Sequence, residues 1–104
     1  MELQHGTDNI ESVEAFKNHT AKGGWYHDDY DYAKDAGLDP NNVIYLANNA
    51  NHYAEVALII IEVPESQVVQ VSDDEYVMSP DADYKVVSVI YQNTSTLPRI
   101  GNAR

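Results

Sequence analysis

Two hydrophobic periods alternate along this chain. Leu3 lies in a short run, Met1-Glu2-Leu3-Gln4, that ends in His5-Gly6-Thr7 and fits a strand. Ile10, Val13 and Phe16 then recur at helical spacing and predict a short helix over 10–19. Asp8 or Asn9 stands in position to cap it, Glu11 or Ser12 suits the first turn, and Lys17 sits near the end where the helix dipole favours a cation. Gly23-Gly24 breaks the pattern, and Trp25-Tyr26 follows at once. Tyr30, Ala33 and Ala36 or Gly37 return to helical spacing, which predicts a second short helix over 29–36 ending at Gly37. Asp39-Pro40-Asn41-Asn42 is a turn.

The second half is dominated by strand patterns. Residues 43–47 are a compact run of β-branched, aromatic and aliphatic side chains, hence a strand. Residues 48–55 read as a short helix opened by Asn48 or Asn49. Residues 56–63 form the strongest strand pattern, apolar at consecutive positions and so expected to be buried on both faces, with Pro64 as its stop. Strands follow at 67–71, at Glu75-Tyr76-Val77-Met78 and at 85–91, the last with Val86, Ser88 and Ile90 opposite to Val87, Val89 and Tyr91. The resulting class is α+β, as one domain over 1–92, with 93–104 as a flexible or surface-laid tail rich in Thr, Ser and Asn.

Charge narrows the partners. The 104 residues carry 17 acidic and 6 basic side chains, a formal net charge of −11. Such a surface repels phosphate backbones and anionic membranes and favours a basic protein. It disfavours nucleic acid as a direct electrostatic partner, and the bland alternative is simple solubility. The chain has no cysteine, which excludes disulfides, thiolate catalysis and zinc–thiolate sites. His19, His27 and His52 lack metal-ligand spacing, so no metal is expected. No apolar run is long enough to span a bilayer, and no leader pattern opens the chain, so a cytoplasmic protein is the expectation. Neither GxGxxG nor GxxxxGK[ST] occurs.

Three landmarks stand in order on three predicted strands. They are His5-Gly6-Thr7, then Ile44-Tyr45-Leu46-Ala47 followed by Tyr53, then Glu75-Tyr76-Val77-Met78. This ordered set resembles the ADP-ribosyltransferases of the diphtheria-toxin and poly-ADP-ribose-polymerase type, with their His–Tyr–Glu triad. It is also similar to small phage enzymes of that fold, anti-CRISPR ones included, and to rifamycin-modifying enzymes in its opening His-Gly-Thr. The resemblance implies a compact split β-sheet core with short flanking helices. It implies an NAD-dependent mono-ADP-ribosyltransferase, NAD being a substrate and an acceptor protein with a basic surface the partner, in a host cytoplasm if the chain is phage-encoded.

The same resemblance assigns roles. Glu75, Tyr45 and His5 would be catalytic. Glu75 would stabilise the oxocarbenium-like ribose, Tyr45 would stack on nicotinamide with Tyr53 over the other face, and Gly6 would hold the carboxamide. His5 would bond the adenosine ribose and Thr7 would support the loop. Asn51 would stand in for a serine that polymerising members place before the second Tyr, in a stretch shorter than theirs. Asp73 and Trp25 are the candidates for positioning the acceptor. The rival from charge alone is a non-catalytic acidic inhibitor, such as a DNA mimic, that blocks a basic surface.

Overall fold

The computed structural model describes residues 1–24 and 30–92. Their order is β1 (Glu2–Thr7), α1 (Ile10–Lys17), α2 (Tyr30–Asp35), β2 (Ile44–Ala47), a 3-10 turn (Asn51–Tyr53), β3 (Ala57–Glu62), a second 3-10 turn (Glu65–Gln67), β4 (Val68–Gln70), β5 (Glu75–Met78) and β6 (Lys85–Tyr91). The expectations for Trp25, Tyr26 and the tail 93–104 lie outside the described residues. The domain is α+β, with a six-stranded sheet in the order β4-β5-β2-β1-β3-β6 and every neighbour antiparallel.

The joint in this sheet is narrow. β1 pairs with β3 along its whole length, from Glu2↔Glu62 to Thr7↔Ala57, and β2 pairs with β5 from Ile44↔Met78 to Ala47↔Glu75. Between β1 and β2 the register holds at Gln4↔Ala47 alone. Two three-stranded ladders therefore meet at one residue pair and diverge beyond it.

Alternation along each strand decides which side chains share a face. Leu3, Ile44, Leu46, Ala57, Ile59, Ile61 and Met78 pack with Val13 and Phe16 of α1 and with Tyr84 to form the main core. Tyr84 is buried, and its hydroxyl donates to the Phe16 carbonyl at 3.1 Å. The opposite face carries a smaller buried cluster of Ala47, Ala50, Ala54 and Leu58, with Ile60 against it. Burial of β3 on both faces holds at Leu58 and Ile59, while Ile60 is only half-buried.

Several expected elements are altered. Asn9 caps α1, its side chain accepting from the Glu11 N–H at 2.8 Å. The helix stops at Lys17 because His19 takes a left-handed backbone with φ 57°. The Thr20 N–H then bonds the Ala15 carbonyl at 2.8 Å, which closes the end. Ile10 is 53% exposed instead of joining Val13 and Phe16. Two steps of three residues rotate the helix by about 120° relative to whole turns, which takes Ile10 off the buried face. Residues 48–55 make a 3-10 turn and not an α-helix; the Asn49 side chain accepts from the Asn51 N–H at 3.0 Å and competes with helical bonding. In β6 a register shift between Ile60 and Ile61 leaves Val87 as the extra residue, so Val86 and Val89 face the same core. Strict alternation across 85–91 is thereby broken. α2 ends at Asp35, one residue short of the expected bound of 36, and Gly37 follows at φ 87°. Among the described residues no helix is long and apolar enough to cross a membrane.

Candidate functional site

The divergence of β1 from β2 opens a cavity of about 170 Å³. It is lined by Gln4, His5, Gly6, Tyr45, Leu46, Ala47, Ala50, Tyr53 and Glu75. Register explains the grouping. Gln4 pairs with Ala47, and Ala47 with Glu75, so these three share a face; Gly6 and Tyr45 lie two positions along their strands on that same face. Tyr53 arrives from the 3-10 turn that covers this side.

Gly6 is required by that turn. A Cβ at Gly6 would stand 2.6 Å from the Ala50 carbonyl oxygen, 2.7 Å from the Tyr53 carbonyl carbon and 2.8 Å from the Ala54 nitrogen. All three are backbone atoms, so the contact cannot be relieved by a side-chain rotation. The side-chain space of Gly6 is therefore filled by the protein itself, where the sequence suggested room for a ligand. Gln4 adds a second tie, its Oε1 accepting from the Ala50 N–H at 3.0 Å. What Gly6 offers a ligand is its backbone edge. The Met1 and Thr7 carbonyls accept from Val63 and Val56 on the β3 side. By alternation the N–H and C=O of Gly6 turn the other way, toward the opening beside β2.

His5 crosses the joint. Its ring packs against Phe16 with centroids 4.7 Å apart, and its Nδ1 lies 2.7 Å from the Tyr45 carbonyl oxygen. A carbonyl only accepts, so Nδ1 carries the hydrogen and the neutral ring keeps a lone pair on Nε2. Burial lowers the His5 pKa below the ordinary histidine value; the bond to Tyr45, which favours the charged form, opposes this but is the smaller effect. His5 and Tyr45 also line a second hollow of about 260 Å³ beside α1, with Ser12, Ala15, Phe16, Ala21, Lys22, Gly24, Val43 and Ile44. A third, open hollow of about 460 Å³ adjoins His5, Gly6 and Tyr53 on the outside, with Thr7, Asp8, His52 and Glu55.

Glu75 is the first residue of β5 and half-buried. The Ser72 hydroxyl donates to its Oε1 at 3.0 Å, and the Asn48 N–H bonds the Asp74 carbonyl at 2.9 Å, which ties the β4–β5 loop to the end of β2. Tyr53 is 50% exposed at the rim, its ring 4.0 Å from that of His52. Thr7 is buried, and its hydroxyl exchanges bonds with the backbone of Asn9, which shapes the turn into α1.

His5, Gly6, Tyr45, Tyr53 and Glu75 thus meet around one cavity. Thr7 and Asn51 do not line it; Asn51 is exposed on the 3-10 turn. Asp73 is exposed in the β4–β5 loop, its carbonyl accepting from Gln70 at 3.4 Å. Trp25 lies outside the described residues. Five residues to which the sequence reading gave no role line or brace the cavity: Gln4, Leu46, Ala47, Ala50 and Ser72. Gln4 and Ala47 carry a sequence signal, since each stands two positions from a singled-out residue on its own strand. Ala50 and Ser72 carry none. No family model, no curated protein and no solved structure matches the chain.

Proposed function

We propose that this protein is an NAD-dependent mono-ADP-ribosyltransferase acting on a protein acceptor. The observation that carries the reading is the convergence of His5, Gly6, Tyr45, Tyr53 and Glu75, from three strands and a turn, on one cavity at the joint of the sheet. The site supplies each group the chemistry needs. Tyr45 and Tyr53 offer aromatic surface to the nicotinamide ring. The backbone edge of Gly6 offers a donor and an acceptor to the carboxamide. The Nε2 lone pair of His5 accepts from a ribose hydroxyl. Glu75, steadied by Ser72, accepts from the 2′-hydroxyl of the nicotinamide ribose and stabilises positive charge at C1′. The C1′–N bond breaks, nicotinamide leaves with the electron pair, the acceptor nucleophile bonds C1′, and its proton passes to solvent or to a nearby base. A split-sheet core of ADP-ribosyltransferase type accords with the two ladders and their single joining pair.

The test is Glu75→Gln, followed with labelled NAD and by release of nicotinamide. It should keep NAD affinity within about threefold and lose at least about a hundredfold in transfer, the scale of one missing electrostatic group in a transition state. Equal activity of the variant would remove Glu75 from the mechanism. A second reading draws on the net charge of −11: an acidic inhibitor that covers a basic surface. Under it neither protein transfers label, and a partner is held in a way that salt weakens and NAD leaves unchanged.

A further inference from the structure

Two polar side chains in the cavity at the joint of the sheet are each half committed. Gln4 Oε1 accepts from the Ala50 N–H at 3.0 Å. A backbone N–H only donates, so the oxygen of the Gln4 amide must face Ala50 and the amide cannot be turned over. Its Nε2 hydrogens have no partner among the described residues. Gln67 provides the contrast. Its Nε2 donates to Asp83 at 3.1 Å and its Oε1 accepts from the Asp83 N–H at 2.7 Å, so both ends of that amide are used. Glu75 is divided as Gln4 is: Oε1 accepts from the Ser72 hydroxyl at 3.0 Å, and Oε2 has no partner among the described residues.

Register puts these two groups in one row. Gln4 pairs with Ala47 and Ala47 with Glu75, so their Cα atoms stand two strand spacings apart, about 10 Å, on one face. The residue between them is an alanine, and both flanking side chains line the same cavity and are half-buried. A donor without a lone pair therefore stands on one side of Ala47 and a carboxylate oxygen, which only accepts, on the other. A hydroxyl satisfies both with a single oxygen, since its lone pair accepts and its hydrogen is donated. A ligand with a C–H group in that place leaves both unpaired, and a site built to bond a hydroxyl rejects such a ligand.

We infer that Gln4 is a binding residue that donates through Nε2 to the ribose oxygen whose hydrogen Glu75 accepts, so that the cavity selects a ribose over a 2′-deoxyribose. This rests on the reading of the cavity as an NAD site and adds to it the group that holds the 2′-hydroxyl from the side opposite Glu75. It gives the Gln4 amide two separable duties. The oxygen holds the start of the 3-10 turn over the cavity at Ala50, and the nitrogen holds the ligand.

The experiment measures the affinity of the full chain for NAD and for the analogue with hydrogen in place of the 2′-hydroxyl on the nicotinamide ribose. The readout is the ratio of the two. Gln4→Glu keeps an oxygen for the Ala50 N–H and removes the donors, and its added charge acts on both ligands alike and cancels in the ratio. The parent should prefer NAD by at least about thirtyfold, the scale of two hydrogen bonds of which one goes to a charged group. Gln4→Glu should reduce that preference about fivefold, the scale of one bond between uncharged groups. Gln4→Met loses both bonds and should show the same fall in preference together with a lower urea midpoint. The inference is overturned if the parent binds the two ligands within twofold of each other or if Gln4→Glu keeps the parent's preference. It is overturned equally if the preference falls in Gln4→Met alone, which would leave Gln4 with the turn only. Failure of the transferase reading is separately visible. A Gln4-dependent preference in a chain that never releases nicotinamide from NAD keeps the hydroxyl site and discards the reaction. Release of nicotinamide by a chain whose preference is indifferent to Gln4→Glu does the opposite.

Discussion

Beneath α1 the sheet buries Leu3, Ile44, Leu46, Ile59, Ile61 and Met78 against Val13, Phe16 and Tyr84. On its other side the buried cluster is three alanines and Leu58. Large branched side chains fill the first face, and each contributes about 1.5–3 kcal/mol when fully buried. Alanines on the second face remove little area from water and leave volume beside them. The cavity lies there, with Ala47 and Ala50 in its wall. Stability and the candidate site are therefore carried on opposite faces of the same strands, and among the described residues only His5 and Tyr45 line hollows on both.

Adjacent isoleucines in β3 provide the sharpest way to break this comparison. Ile59 is fully buried on the α1 face, whereas Ile60 is half-buried on the other. Ile59→Ala should cost about 2–5 kcal/mol in denaturant unfolding. Ile60→Ala should cost roughly half of that or less, in line with its smaller buried area. Equal losses would show that both faces support the fold alike.

Gly6→Ala comes next in size. The added methyl meets three backbone atoms of the 3-10 turn, so either the turn or β1 must move. The expected cost is about 1–3 kcal/mol, as for other overpacked sites. NAD affinity should fall as well, because the displaced turn carries Ala50 and Tyr53. Gly24→Ala is the matched control: a Cβ there meets nothing within 4 Å, and its stability should stay near that of the parent. A Gly6→Ala variant that is as stable as the parent and binds NAD would detach the glycine from the site.

These positions also mark what sequence alone makes legible. The strands are legible because residues 43–46 and 58–61 are apolar runs of β-forming residues, and pattern survives without tertiary knowledge. The order of His5, Tyr45 and Glu75 pointed to one site, and antiparallel register brings those strands together. The reason for Gly6 was not readable, because it depends on a turn more than forty residues away approaching β1. Residues 48–55 carry a weak helical periodicity that local asparagine bonding outweighs, so a 3-10 turn forms at Asn51–Tyr53. Tyr84 belongs to no periodic run, yet it closes the main core against Phe16. Its role depends on where the chain returns after β5. Val87 was assigned a face by alternation, which a one-residue bulge overrides.

The smallest expected effect concerns His5, at the boundary between the two faces. Burial holds its folded-state pKa below the unfolded value of about 6.5. The folded protein then binds fewer protons than the unfolded chain through that range, so this group's contribution to unfolding free energy rises with pH. It is constant above the unfolded pKa and declines as pH falls through that value toward the folded one. His5→Gln removes the titration and keeps a side-chain donor within reach of the Tyr45 carbonyl. Urea unfolding of both proteins at pH 5.0 and pH 7.5 isolates the term, since the acidic side chains are common to both. The parent should lose more stability on acidification than His5→Gln does. If the two lose the same amount, the imidazole titrates in the folded protein as it does in the unfolded chain, and the ring is exposed to solvent instead of being enclosed between Phe16 and the joint of the sheet.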